Sequence, residues 1–147
     1  MTEKLIREIQ YMDDSDDEAF LSGLLLKKQK IAAKLMHHTS FDQLRRVLKS
    51  RDPAEPMLIM VDLNMPLMNG VEVIRNTLED FADPHLFIGI CSGSEDPADK
   101  LNAKEAGAHF FVQKPLDVTS LKRVCEICEP LTMQRNNSEE SALVCVI

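Results

Sequence analysis

No apolar run in this chain approaches the length of a membrane-spanning helix, and the opening residues MTEKLIREIQ lack an apolar signal segment. The expectation is therefore a cytoplasmic protein with no membrane partner. Positive charge is in the minority: 17 lysines and arginines face 24 aspartates and glutamates, for a net charge of −7. With no basic stripe to release the counterions of a phosphate backbone, the sequence argues against nucleic acid as a partner. The four cysteines do not suggest a disulfide framework, since Cys91 sits in an apolar run and Cys145 close to the last residue. Cys125 and Cys128 match the spacing of a redox or zinc pair, but a second pair is missing. Both fall on an apolar-periodic helix beside Leu121 and Val124, so they read as core residues. Internal repeats and low-complexity segments are also lacking.

What is present is a soluble composition, 44% hydrophobic and 28% charged over 147 residues, enough for one domain with a real core. Short apolar runs alternate with amphipathic stretches. IREIQYM (6–12) reads as a rather polar strand, and Ser15-x-x-Glu18 as a capping box opening a helix with Phe20, Leu21, Leu24 and Leu25. AKLMHHT (33–39) reads as a second strand, and Ser40 caps a helix carrying Phe41, Leu44 and Leu48. MLIMV (57–61) is continuously apolar, as a strand covered on both faces should be. Val71, Ile74 and Leu78 mark a third helix, with Gly70 serving the turn before it, and HLFIGI (85–90) is a fourth strand. Asp96 and Pro97 open a helix that Gly107 closes, HFFVQ (109–113) is a fifth strand, and residues 120–128 form a last helix stopped by Pro130. Strands each followed by a helix imply parallel pairing with right-handed crossovers, hence an α/β sandwich with helices on both faces of the sheet.

Ligands of such sheets bind beyond the carboxyl ends of the strands, and the unusual polar residues fall there. Asp13 and Asp14 follow the first strand, Asp62 the third, Ser92 the fourth and Lys114 the fifth. Two carboxylates ~5 Å apart repel by about 3 kcal/mol at an effective dielectric of 20, so three of them call for a cation. All-oxygen ligands point to Mg²⁺ or Mn²⁺. Asp62 is then placed as a nucleophile for a phosphoryl group whose charge the metal, Lys114 and the Ser92 hydroxyl would neutralise.

The segments MDDSDDE, VDLNMPLMNG, ICSGS and VQKPLD resemble, in order and spacing, the receiver domains of two-component response regulators. The resemblance runs over about residues 5–130. It implies a flavodoxin-like (βα)5 doubly wound fold with a five-stranded parallel sheet in the order 2-1-3-4-5, an order for which receivers are a standing example. It also implies roles: Asp62 as phosphoacceptor, and Asp13, Asp14, Asp62 and the backbone carbonyl of Asn64 as holders of Mg²⁺ or Mn²⁺. Ser92, Gly93, Lys114 and Phe111 would bind or sense the phosphoryl group, and the Lys114–Pro115 bond would be cis. Ser92 replaces the commoner threonine, and Phe111 lacks the hydroxyl of the tyrosine variant.

The implied partner is a sensor histidine kinase, of the phytochrome type by a narrower likeness of DLNMPLMNG and DDSDDE to a group of single-domain regulators. The implied activity is catalysis of the chain's own phosphorylation and dephosphorylation and no other. The expected organisation is a receiver at 1–130 with a tail at 131–147 and no output domain, signalling to a downstream protein through the fourth helix, fifth strand and fifth helix. A relay intermediate or phosphate sink is the alternative. A haloacid-dehalogenase-type phosphatase fits poorly, because it would carry an aspartate where this chain has Asn64 and its nucleophile on the first strand. Asp16, Asp17 and Glu18 read as a solvated helix start. His37 and His38 point to opposite faces of a strand, which argues against a shared metal. An EF-hand lacks its glycine and glutamate in either register. The tail, polar until ALVCVI, is expected to be disordered, or else to dock on a second subunit in a homodimer whose main contact is made by the fourth and fifth helices.

Overall fold

The computed structural model describes residues 2–147. In chain order the elements are β1 (Glu3–Ile6), β2 (Glu8–Met12), α1 (Asp16–Lys28), β3 (Lys34–His38), α2 (Phe41–Ser50), β4 (Met57–Val61), α3 (Gly70–Phe81), β5 (Leu86–Ser92), α4 (Pro97–Glu105), β6 (Phe110–Gln113), α5 (Val118–Ile127), β7 (Leu131–Arg135) and β8 (Ser141–Val146). The main sheet runs β3-β2-β4-β5-β6 with every pair parallel. Counted by its own strands this is the order 2-1-3-4-5, the flavodoxin-like arrangement that the resemblance implies.

The apolar run of β4 is explained by its two faces. Leu58 and Met60 join a cluster with Ala19 and Leu26 of α1 and Leu121 and Val124 of α5. Ile59 and Val61 join another with Leu44 of α2, Ile74 of α3 and Ala103 of α4. Successive side chains of a strand point to opposite faces, so a strand with helices on both sides has no polar position. Each fully buried Leu or Ile contributes about 1.5–3 kcal/mol to such a core.

Helix ends follow their sequence signals. Ser15, Ser40 and Asp96 accept backbone N–H bonds as N-caps, and Pro97 occupies the first turn of α4. Gly107 closes that helix with φ +100°, a conformation costly for a residue with a Cβ. The capping box at Ser15 is only half made, because the Ser15 N–H turns to Asp13 Oδ1 instead. A full box occurs at Asp117 and Ser120, opening α5.

The expected first strand, 6–12, is two strands serving two sheets. β2 lies inside the main sheet, while β1 pairs antiparallel with β8, which pairs antiparallel with β7. The polarity that blurred this strand has partners: Gln10 Oε1 meets His38 Nε2 at 2.6 Å, and the Tyr11 hydroxyl bonds a carboxylate. The disordered tail expected after Leu131 is overturned as well. Leu131, Leu143 and Cys145 lie in the same core cluster as Ile6, Leu26 and Ile31. Their alternation with polar neighbours disguised them as a polar segment, and β1 of the same chain, rather than a second subunit, takes the apolar strand.

Gly70 also has a different reason from the one expected. It is the first residue of α3, and a Cβ there would collide with the carbonyl oxygen of Asp62 and the Ile90 side chain. Close approach of the helix to the strand end, rather than turn geometry, requires glycine.

Candidate functional site

The hydrogen-bond ladder of the main sheet continues one residue past the strands and pins three of the residues that the sequence singles out. Asp13 N–H donates to the His38 carbonyl at 3.0 Å, Asp62 N–H to the Met12 carbonyl at 2.8 Å, and Lys114 N–H to the Ser92 carbonyl at 2.8 Å. Side chains far apart in sequence therefore emerge at one edge. One carboxylate oxygen from each of Asp13, Asp14 and Asp62 lies within 4.8 Å of the others, a group that could hold a metal ion.

Lys114 Nζ sits 3.0 Å from Asp13 Oδ2, 3.0 Å from Asp62 Oδ1 and 3.8 Å from Glu18 Oε2. Desolvation pulls its pKa down, but bonds to Asp13 and Asp62 more than compensate and hold it above the ordinary lysine range. Asp62 is buried, and desolvation pushes its carboxyl above the usual aspartate range against the pull of Lys114. Asp13 is fully buried and Asp14 exposed. A hard, all-oxygen set with one member open to water suits Mg²⁺ or Mn²⁺ and not a softer metal.

Ser92 is buried at the end of β5, and its Oγ accepts the Ser94 N–H at 3.0 Å. Gly93 and Asn64 are exposed on the loops beside the acidic group. Phe111 is partly buried on β6, packs on the cluster of α2, α3 and α4, and has Lys100 Nζ 5.9 Å from its ring centre. The Lys114–Pro115 bond is cis. His37 and His38 do diverge, His37 Nε2 reaching the Asp13 carbonyl oxygen at 2.7 Å while His38 meets Gln10. Burial pushes the Cys125 and Cys128 thiols up to about 11, which leaves both as neutral core groups.

Two features went unread in the sequence. Tyr11, fully buried, donates its hydroxyl to Asp13 Oδ2 at 2.7 Å. The signal was available, because residues i and i+2 of a strand share a face. The apolar stripe of α1, moreover, points outward: Phe20 is 70% exposed and Leu24 51%, while Ala19, Ser22 and Leu26 face the core.

The family model of the response regulator receiver domain matches residues 9–126. The chain belongs to the receiver-domain family of two-component response regulators. It is 28% identical over 102 residues to the chemotaxis protein CheY of Thermotoga maritima, covering 68% of this chain and 81% of that one. It is 30% identical over 116 residues to the two-component response regulator ORR5 of Oryza sativa subsp. japonica, covering 77% and 81%. Other relatives are much longer: the match spans 21% of the transcriptional regulator NtrC of Proteus hauseri. Among solved structures, the bacteriophytochrome response regulator AtBRR superposes with a TM-score of 0.67 at 20% identity, over 84% of this chain and 93% of that one. The beryllofluoride-activated NtrC4 receiver dimer gives 0.66 at 18% identity, over 84% and 98%.

Proposed function

We propose that this receiver accepts a phosphoryl group on Asp62 from a sensor histidine kinase, with Mg²⁺ or Mn²⁺ held by Asp13, Asp14, Asp62 and the Asn64 carbonyl. The observation that carries the reading is one ammonium, on Lys114, set 3.0 Å from both Asp13 and Asp62 with a third carboxylate within reach. An Asp62 oxygen attacks phosphorus, the bond to the donor imidazole nitrogen breaks, and that nitrogen keeps the electron pair. Lys114 then exchanges a carboxylate oxygen for a phosphoryl oxygen, and the Ser92 hydroxyl leaves the Ser94 N–H for another. The bound ion supplies charge neutralisation for the phosphoryl oxygens.

Partner chemistry has support on two faces. Phe20, Leu21 and Leu24 stand exposed on the helix that starts at the acidic pocket, so a donor presenting phosphohistidine to Asp62 would cover them. On the opposite flank, a cleft of about 570 Å³ between α4, β6 and α5 is lined by Lys100, Phe111, Asp117 and Arg123. Repositioning Phe111 would reshape this cleft for a downstream protein or a second copy of the chain joined through α4 and α5. Its place is the cytoplasm, where such kinases present their phosphohistidine.

The test is labelling by a small-molecule phosphodonor. Wild type should label only with Mg²⁺ or Mn²⁺ present, and both EDTA and Asp62→Asn should abolish the label. Stable label on Asp62→Asn would move the acceptor elsewhere.

A further inference from the structure

Asp13 has two carboxylate oxygens and three donors already bound to them. Oδ1 takes the Ser15 N–H at 2.9 Å, and Oδ2 takes both the Tyr11 hydroxyl at 2.7 Å and Lys114 Nζ at 3.0 Å. The main chain of the same residue is anchored by His37 Nε2 at 2.7 Å from its carbonyl oxygen. Orientation of Asp13 is therefore secured from several directions without Tyr11. Packing does not need the hydroxyl either, since a phenylalanine ring would fill the same space among Ile9, Leu58, Cys91 and Leu116. A buried hydroxyl costs desolvation unless it is bonded, and the bond Tyr11 makes is to the carboxylate that must later handle positive charge.

We propose that Tyr11 is a positioning residue for the receiver reaction: its hydroxyl occupies Asp13 Oδ2, lowers that oxygen's appetite for cations, and so keeps Lys114 shared with Asp62 and the metal site readily exchangeable. A neutral donor disperses charge on the oxygen it bonds, and that oxygen is the one Lys114 also uses. Without the hydroxyl, Asp13 should hold both the lysine and a divalent ion more strongly. This rests on the proposed role of the acidic group, and it adds a residue whose effect on that group has a predictable sign.

Two measurements test it. The first is equilibrium Mn²⁺ binding to the unphosphorylated protein, wild type against Tyr11→Phe. The expected result is binding about fivefold tighter in the variant, the worth of one ordinary hydrogen bond. Labelling by a small phosphodonor at saturating Mg²⁺ should meanwhile become slower, because Lys114 stays with Asp13. Tighter metal with slower transfer is a combination that simple loosening of the fold would not give. Unchanged or weaker Mn²⁺ binding in a folded variant overturns the proposal while leaving phosphorylation of Asp62 intact, whereas no Mn²⁺ binding by wild type overturns both.

The second measurement needs no substitution at Tyr11. The chain has one tyrosine and no tryptophan, so emission excited at wavelengths beyond the phenylalanine absorption band reports Tyr11 alone. A phenol bonded to a carboxylate is quenched by proton sharing in the excited state. Titrating wild type with Mg²⁺ should therefore change the emission, and Asp14→Ala should suppress the change. Emission that stays flat while wild type binds the ion overturns the proposal.

Discussion

Thr2 and Ile147 exchange backbone hydrogen bonds, Thr2 N–H to the Ile147 oxygen at 3.1 Å and Ile147 N–H to the Thr2 oxygen at 2.8 Å. Those bonds extend the β1–β8 pairing, which ties the two ends of the described chain together. The resulting small sheet is part of the core, with Leu131 and Cys145 both 1% exposed. Removing residues 130–147 would strip Leu131, Leu143 and Cys145 from Ile6, Leu26 and Ile31. At about 1.5–3 kcal/mol per large apolar side chain, that loss rivals the lower end of a domain's stability of about 5–15 kcal/mol. A shortened chain is expected to melt far lower or to fail to fold, as thermal denaturation by circular dichroism would register. An unaltered melting curve would make the hairpin dispensable.

The Ser92 hydroxyl bonds the Ser94 N–H in this structure, facing the loop. Ser92→Ala should still take phosphate on Asp62, yet on the proposed mechanism it should lack the group that would swing to the phosphoryl oxygens and free room for Phe111. Partner binding by the phosphorylated variant should stay at the unphosphorylated level. A full response in a binding assay would break the link between Ser92 and Phe111.

Phe20→Ala separates the kinase from the chemistry. The side chain is exposed, so stability should move by under about 0.5 kcal/mol, and labelling by a small phosphodonor should be unchanged. Transfer from the histidine kinase found by a phosphotransfer screen should fall about tenfold, as expected for a contact of about 1.4 kcal/mol. Equal losses with both donors would assign Phe20 to the fold and not to docking.

Arg51 and Asp83 form a pair largely removed from solvent, with side chains 8% and 20% exposed. Burial pushes the Asp83 carboxyl up, but its bonds to Arg51 and to the His85 N–H outweigh this and hold it below the ordinary range. A depressed folded pKa stabilises above the unfolded value of about 3.9, and that contribution disappears as pH falls through the folded value. Asp83→Asn should therefore cost about 2 kcal/mol at pH 7, less than a fully buried pair because Asp83 keeps some solvent. The difference from wild type should shrink below about pH 4. Urea unfolding at both pH values measures it, and a gap that persists in acid would mean the charge contributes nothing.

Much of the site was legible because its residues interrupt local patterns. Asp62 ends an apolar run, Asp13 and Asp14 follow a strand and open an acidic stretch, and Lys114 precedes a proline, all within a few residues of the signal. What escaped depends on pairing across the whole chain. β1 is a strand because Ile6 sits opposite Leu143, a relationship that no window around either residue contains. The α1 stripe misled for a different reason: helical spacing shows that a face is apolar and leaves open whether the protein or a partner covers it. Tyr11 was hidden by its own plausibility as a core aromatic.

The ladder bonds of Asp13, Asp62 and Lys114 make chemical competence a reading of strand alignment. A strand that slips by one residue turns every side chain to the opposite face. A slip of β4 alone would send Asp62 into the layer of α2, α3 and α4 and put a neighbour of another kind beside Lys114. Misassembled copies would then be silent to the kinase without any separate inspection, so phosphate on this protein would certify that the molecule carrying it had folded correctly.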